Sequence, residues 1–256
     1  PSEAGPATTP TVDEVFEAQA AREVAGLSYG TLSSLLNKSL VRRSRGDRYE
    51  MHELVRQFAA AKLDEHPIEM RGVSDRHCAY YASFLHRREK VLKTARQKRG
   101  LAEISAEIEN VRVAWAWAVA TERREAIALC LESLYTFYWA RNWFHEGERA
   151  LEQAESVVVN EEAKGDLLSA RIWTRQAEFD CWLARYEEAE TRLAKSIDVC
   201  RTSRAEGELA LALELLGRIE YLQAQYRRAA EHFEESLSIC RQLGDRRGTA
   251  QALNDL

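Results

Sequence analysis

An internal repeat of 40 residues constrains the fold of this chain most strongly. A shift of 40 positions places Ala184–Arg201 on Ala224–Arg241, with apolar residues again meeting apolar residues. Identical residues stand at Ala184/Ala224, Tyr186/Tyr226, Ala189/Ala229, Ser196/Ser236, Cys200/Cys240 and Arg201/Arg241. The same shift carries Leu216 onto Leu256, where a third copy begins. A fixed period of this length is typical of a helical-repeat solenoid, in which each unit must stack on the next to bury its apolar face.

Composition narrows the class of protein further. The chain is 45% hydrophobic and 30% charged with only 4 Pro and 12 Gly, which favours a mostly helical fold. Its net charge of -5 gives no general attraction to nucleic acid or anionic lipid. The longest apolar run, Val113–Ala120, is far shorter than the roughly 20 residues of a membrane span. Five scattered cysteines without a C-x-x-C pair indicate reduced thiols and a cytoplasmic location.

The first quarter of the chain predicts a small domain of mixed structure. Residues 1–11 are rich in proline and read as a flexible linker or an expression remnant. Residues 12–66 predict two helices, two short strands joined by a polar turn, and a third helix. The predicted elements are Val12–Val24, Thr31–Asn37, Leu40–Arg43, Arg48–Met51 and His52–Glu65. Two helices followed by a β-hairpin are the pattern of a winged helix, here lacking its first helix.

The segment Tyr49–Ala59, with Leu36–Val41 before it, resembles the winged-helix domain of STAND signal-transduction ATPases. Met51-His52-Glu53 is similar to the Met-His-Asp motif of that family, with glutamate in place of aspartate. The resemblance implies that His52 reaches a phosphate of bound ADP and helps to hold the resting state. A histidine just before a helix whose N–H groups are free also suits a phosphate on physical grounds. The alternative is a histidine that only caps or packs this junction.

No G-x-x-x-x-G-K-[ST] phosphate loop occurs anywhere in the sequence. We therefore expect no catalytic activity and no cofactor in this chain itself. The resemblance implies a piece of an ATPase from which the nucleotide-binding domain is missing. ADP or ATP with Mg²⁺ would belong to that missing domain, which would also be a partner of the winged helix.

Residues 67–121 predict a helical arm made of Ser74–Arg96 and Leu101–Thr121, in which apolar residues recur at helical spacing. The strings Arg76–Tyr81 and Glu109–Trp115 resemble the linker that joins winged helix and repeats in many bacterial STAND proteins. The arm is thus expected to be a helical bridge instead of a loose tether.

Residues 122–256 predict a repeat sensor domain of helix hairpins, truncated at its C-terminus. The predicted helices are Ala126–Arg141, Glu146–Val158, Leu168–Arg185, Glu187–Arg201, Ala210–Gln225 and Arg227–Leu243. Leu216-Gly217, Ala229 and Phe233 match the small and large positions of the tetratricopeptide repeat. Glu220 stands where an aromatic residue is usual, and the period of 40 exceeds the usual 34 or so.

First helices of stacked hairpins line the inner face of a solenoid, which here predicts a ligand groove. Its candidate residues are Trp139, Arg171, Glu178, Trp182, Arg218 and Tyr221, with Cys181, Glu214 and Leu222 beside them. Aromatic rings next to arginine and glutamate suit a polar ligand or a peptide. The alternative is ordinary solenoid surface. The six histidines are scattered without ligand spacing, so that no metal site is predicted.

Three functions stay open at this stage. The first is the regulatory and sensor part of a STAND ATPase, in which an inducer, either a small molecule or a protein, relieves autoinhibition. The second is a free-standing tetratricopeptide adaptor for protein–protein interaction. The third is a DNA-binding regulator, which we do not expect, because acidic residues interrupt its basic cluster. That cluster is Lys38, Arg42, Arg43, Arg45 and Arg48, and the interruptions are Asp47, Glu50 and Glu53.

Overall fold

A computed structural model of the chain describes residues 15–44, 48–159 and 166–256. These residues form thirteen helices and three short strands. The protein is therefore mainly α-helical, as the composition predicted. The chain divides into two compact units between Thr121 and Glu122. The predicted linker at residues 1–11 and the tip of the hairpin turn at residues 45–47 lie outside the described residues.

The described residues of the first unit, 15–44 and 48–121, form a small sheet and six helices. Its elements are β1 (Val15–Glu17), α1 (Ala18–Ala25), α2 (Tyr29–Asn37), β2 (Val41–Arg43), β3 (Arg48–Met51), α3 (Glu53–Asp64), α4 (Pro67–Leu92), α5 (Gln97–Ala106) and α6 (Ile108–Ala120). The predicted second helix, hairpin strands and third helix are all present. Whether this arrangement is a winged helix stays a prediction.

The sheet has the order β1-β3-β2, and both neighbouring pairs are antiparallel. Its core consists of Leu32, Val41 and Tyr49, all buried. The prediction of a helix over Val12–Val24 is wrong at its start, since residues 15–17 form a strand and the helix begins at Ala18. The reason is cross-strand pairing with β3, which helical spacing within one segment does not reveal.

A second correction concerns the predicted helix Leu101–Thr121, which the structure divides into α5 and α6 at Glu107. The Glu107 side chain is only 4% exposed. Its Oε2 accepts hydrogen bonds from the Tyr81 hydroxyl and the Asn110 amide, each at 2.9 Å. Its Oε1 lies 2.5 Å from a guanidinium nitrogen of Arg48 in β3. These bonds tie the strand to the helices of the arm.

Helix α4 also begins seven residues before the predicted start at Ser74. Pro67 occupies its first turn, where the missing N–H of proline costs nothing. The buried side of α4, which includes Tyr81 and Leu85, packs against α6. Trp115 of α6 is buried, and the indole N–H of Trp117 donates to Asp75 of α4 at 2.8 Å.

The second unit consists of helix hairpins. Its elements are α7 (Arg124–Ala140), α8 (Phe144–Val158), α9 (Leu167–Trp182), α10 (Tyr186–Ser203), α11 (Glu206–Leu222), α12 (Tyr226–Leu243) and α13 (Arg246–Asp255). The predicted hairpins are all present, and α13 opens the third copy. Extensive contacts join α9 to α10 and α11 to α12, as the repeat requires.

Polar contacts recur with the same 40-residue period as the sequence. The Ser196 hydroxyl donates to the Ala170 carbonyl at 3.0 Å, and the Ser236 hydroxyl donates to the Ala210 carbonyl at 2.8 Å. A buried acid facing a base also recurs. Asp180 pairs with Arg192, and Glu220 lies 2.7 Å from the Nδ1 of His232. Glu220, unusual for a tetratricopeptide repeat, thus keeps the role of Asp180 one repeat earlier.

Close helix packing explains the small residue at Gly217. A Cβ atom at this position would lie 2.7 Å from the ring of Phe233 and 3.1 Å from the carbonyl oxygen of Ala229. The first distance is too short for an additional carbon atom, and the second is tighter than an ordinary contact. The glycine therefore sets how closely α11 approaches α12.

Candidate functional site

A row of buried ion pairs crosses the first helices of three successive hairpins. Arg175 of α9 is 6% exposed and lies between Glu132 of α7 and Glu208 of α11. Its Nη2 is 2.9 Å from a Glu132 oxygen and 3.2 Å from a Glu208 oxygen. Arg171 also donates to Glu132 at 2.9 Å. Against the effect of burial, Arg175 and Arg171 hold the pKa of Glu132 below its ordinary value.

A second polar row runs beside the first and includes two predicted groove residues. Arg218 Nη1 lies 3.5 Å from Glu178 and 3.7 Å from Glu214. The Tyr135 hydroxyl donates a hydrogen bond to Glu178. Burial, together with the negative charges of Asp255 and Glu178, raises the pKa of Glu214 to about 7, although Arg218 opposes the change. Glu214 therefore gains its charge near neutral pH.

A cavity of about 750 Å³ opens next to this second row. Its lining is mainly apolar and aromatic. The residues are Cys181, Trp182, Ala184, Tyr186, Arg218, Tyr221, Leu222, Phe233, Asn254, Asp255 and Leu256. Trp182 is 52% exposed and Tyr221 57% exposed. The Trp182 ring stacks on Phe144 with centroids 5.4 Å apart, which holds its plane in place.

The structure brings some of the predicted groove residues together and separates others. Trp182, Arg218 and Tyr221 share the cavity, and Glu178 contacts Arg218. Arg171 belongs to the row of buried ion pairs and does not line this cavity. Trp139 is partly exposed and lies outside the cavity lining. Sequence reasoning missed Asp255, because α13 lies in a repeat copy that the 40-residue comparison barely reached.

The raised pKa of Glu214 predicts a pH effect on stability. A folded-state pKa of about 7, above the ordinary 4.5, means that Glu214 favours folding fully below pH 4.5 and loses this contribution as pH rises through 7. Glutamine imitates the protonated acid, so Glu214→Gln should lack this loss. Urea unfolding at pH 5 and pH 8 should show the wild type losing on the order of 2–3 kcal/mol relative to Glu214→Gln. Parallel changes in the two proteins would contradict the assignment.

At the other candidate site, His52 caps helix α3. Its Nδ1 accepts the N–H of Leu54 at 3.3 Å, and its carbonyl oxygen accepts the N–H groups of Val55 and Arg56. His52 therefore caps α3, which was the alternative interpretation of this residue. The expectation that the first N–H groups of the helix are free is wrong for Leu54, Val55 and Arg56. Because Nδ1 accepts, the neutral ring carries its proton on Nε2, and His52 as a residue is exposed.

Glu53, at the position where the motif that the sequence resembles has aspartate, also has partners within α3. Its carboxylate accepts hydrogen bonds from Arg56 at 2.8 Å and from Gln57 at 2.7 Å. The hydrogen bonds of Arg56 and Gln57 lower the pKa of Glu53 to about 2. The carboxylate of Glu53, next to His52 in the sequence, is thus paired with Arg56 in the same helix.

The described residues contain neither a metal-binding group nor a membrane-spanning helix. Within residues 15–44, 48–159 and 166–256, no three histidine, cysteine, aspartate or glutamate side chains are grouped as a metal site would need. In the same part of the chain no helix has the length and apolar character to cross a bilayer.

Comparison with known proteins identifies the repeats. The tetratricopeptide repeat family model matches residues 168–242, which confirms the prediction for the two clear repeats. A solved STAND protein with a tetratricopeptide repeat sensor, from Pyrococcus horikoshii, is similar over 96% of this chain, with 16% identity and a TM-score of 0.43. The chain covers 45% of that protein's length. No curated protein has a matching sequence.

Proposed function

We propose that this chain is the regulatory and sensor part of a cytoplasmic STAND-type ATPase. In this proposal the repeats of residues 122–256 bind an inducer, and residues 67–121 connect them to the domain at residues 12–66. That domain contacts a nucleotide-binding domain elsewhere in the same protein and keeps it in its ADP-bound resting state. The inducer acts by binding the open state more tightly than the closed state.

The observation that carries the sensor role is the aromatic cavity beside the Arg218 row. It offers two exposed rings for stacking and a guanidinium held by two carboxylates, which is the usual make-up of a small-ligand site. Trp182, Arg218 and Tyr221 are the proposed contacts, with Glu178 positioning Arg218. Arg171 and Trp139, also predicted for the groove, would extend the surface along the first helices. Their arrangement supports ligand binding without any catalytic group.

The proposal that this chain stabilises the ADP-bound state rests on the resemblance of Met51-His52-Glu53 to the Met-His-Asp motif of STAND ATPases. The contacts of His52 support this proposal: its backbone and Nδ1 cap α3, which would leave the Nε2–H of a neutral ring to donate to a phosphate oxygen. ADP or ATP and Mg²⁺ would be bound by the nucleotide-binding domain, and this chain would supply one hydrogen bond.

We expect His52→Ala in the full-length protein to raise ATP turnover without inducer and to lower the amount of ADP retained after purification. A charge-assisted hydrogen bond of about 1.5–3 kcal/mol, lost only from the closed state, shifts the closed-to-open ratio roughly 10- to 100-fold. His52→Asn separates the two roles of the residue, because asparagine is a good helix cap but has no imidazole.

The matched control is His66→Ala, since His66 precedes α4 without a side-chain cap hydrogen bond. It should behave as the wild type. Wild-type ADP retention and basal turnover in both His52 variants would reduce His52 to a capping residue and remove the nucleotide-control proposal.

A tetratricopeptide adaptor is the second candidate, favoured by the family match over residues 168–242. An adaptor would bind a protein partner equally well with or without nucleotide in the full-length protein. A DNA-binding regulator has less support, because two cations of the hairpin already have acidic partners. Arg42 lies 2.5 Å from Glu50 and Arg48 lies 2.5 Å from Glu107.

A further inference from the structure

We infer that the cavity at Trp182 and Tyr221 selects a ligand that carries a cationic nitrogen, an alkylammonium or a guanidinium, on an apolar stem. The inference rests on the proposed function, since it names the chemical class of the inducer that the cavity would accept. Three features of the cavity lead to it: the exposed aromatic faces, the balance of charge and the apolar remainder of the lining.

The first feature is a pair of exposed aromatic rings in the cavity lining. The indole of Trp182 and the phenol ring of Tyr221 are each more than half exposed while lining a concave surface. Each has a ring partner, since Trp182 stacks on Phe144 and Tyr221 meets Tyr226 edge-on with centroids 5.4 Å apart. Rings held in this way present a negative face, and a cation within about 6 Å of such a face is attracted to it.

The charge balance favours a cation over an anion. Among the described residues of the lining, the charged side chains are Arg218 and Asp255. Arg218 is already close to two carboxylates, at 3.5 Å and 3.7 Å. Arg218 therefore already has two carboxylate neighbours, and Asp255 adds a negative charge of its own to the lining. Burial, with smaller effects of Asp255 and Glu178, raises the pKa of Glu214 to about 7, so Glu214 adds its negative charge fully only above neutral pH.

The remaining surface suits a hydrocarbon stem. The exposed side chains of Leu222 and Ala184 contribute apolar area, and the volume of about 750 Å³ lies in the range of small-ligand sites. A ligand of this class would place its hydrocarbon stem against these apolar side chains. Its cationic nitrogen would lie near Asp255 and the rings of Trp182 and Tyr221.

The test uses three probes of equal length: 4-phenylbutylammonium, 4-phenylbutanol and 4-phenylbutyrate. Each is titrated into the full-length protein while the indole N–H signals are followed by NMR, with the Trp182 signal identified by its absence in Trp182→Leu. We expect the ammonium to bind roughly 3- to 30-fold more tightly than the alcohol, and the carboxylate to bind most weakly.

Two variants locate the binding. Trp182→Leu and Asp255→Asn should each weaken ammonium binding several-fold, whereas Tyr29→Leu, which removes an exposed aromatic ring outside the cavity lining, should leave it unchanged. If the alcohol or the carboxylate binds as tightly as the ammonium, or if the ammonium does not perturb Trp182 at all, the cationic preference is overturned. The His52 experiment decides the proposed function independently of this result.

The cation could come from a peptide or from a small amine. A capped five-residue peptide with a central lysine between leucines, compared with its norleucine counterpart, distinguishes these sources. Tighter binding of the lysine peptide than of 4-phenylbutylammonium assigns a protein partner, and weaker binding assigns a small amine. Equal binding of the norleucine and lysine peptides contradicts the inference.

Discussion

Replacing Arg175 with methionine is expected to lower the free energy of unfolding by about 3–5 kcal/mol. The guanidinium is 6% exposed and holds Glu132 and Glu208 from two neighbouring helices. Without it, Glu208 loses its charge partner in this row, and Glu132 keeps only Arg171. Two carboxylates that are each only 12% exposed then lose part or all of their compensation, which costs more than the apolar contacts of methionine restore.

Urea unfolding of the chain measures this loss, and Arg201→Met is its matched control. Arg201 pairs with Glu235 at 3.0 Å in a pair of side chains that are 53% and 41% exposed. Such surface pairs contribute about 0–1 kcal/mol. If Arg175→Met were no more harmful than Arg201→Met, the buried row would have no structural importance. A variant with apolar residues at all three positions should recover much of the loss.

Glu107→Ala is expected to have an effect of similar size in the first unit, about 3–5 kcal/mol. The substitution leaves the buried Tyr81 hydroxyl without its acceptor and removes the carboxylate that faces Arg48. Burial and the Glu107 charge raise the pKa of Tyr81, so Tyr81 stays a neutral donor and cannot replace the lost charge. Glu107→Gln keeps an acceptor and should fall between the wild type and alanine.

The control for this prediction is Glu103→Ala. Glu103 lies one turn earlier and pairs with Arg88 and Arg99, but its side chain is 34% exposed. Its loss should cost less than about 1 kcal/mol. Amide hydrogen exchange in β3 should also rise in Glu107→Ala and not in Glu103→Ala, because Arg48 connects that strand to Glu107. Unchanged exchange in β3 would show that Glu107 does not hold the strand.

Several elements followed from local patterns in the sequence. The 40-residue period located the hairpins α9–α10 and α11–α12, because equivalent residues must meet equivalent neighbours in stacked repeats. Helical spacing of apolar residues placed α7 and α8, and the alternating segment around the polar turn placed β2 and β3. In each case the determining interactions lie within one helix, one hairpin or one repeat.

Other elements depended on partners distant in sequence. Strand β1 exists because residues 15–17 pair with β3 more than 30 positions later, and the break at Glu107 coincides with contacts to Tyr81 and Arg48. Neither partner changes the local periodicity. Local periodicity did not predict that Glu220 faces His232. The shift of 40 positions aligns these two residues with Asp180 and Arg192, which form the equivalent pair one repeat earlier.

The same distinction applies to the candidate site, where some residues were predicted from the sequence and others were identified only by the structure. The sequence alone named Trp182, Arg218 and Tyr221, because repeat geometry assigns such positions to the first helices of each hairpin. Only the tertiary structure decided that Arg171 is used in a buried ion pair and that Asp255 joins the cavity. The charge of a cavity is the sum over side chains from α9, α11 and α13. That sum depends on distances between helices, which spacing along one chain does not contain.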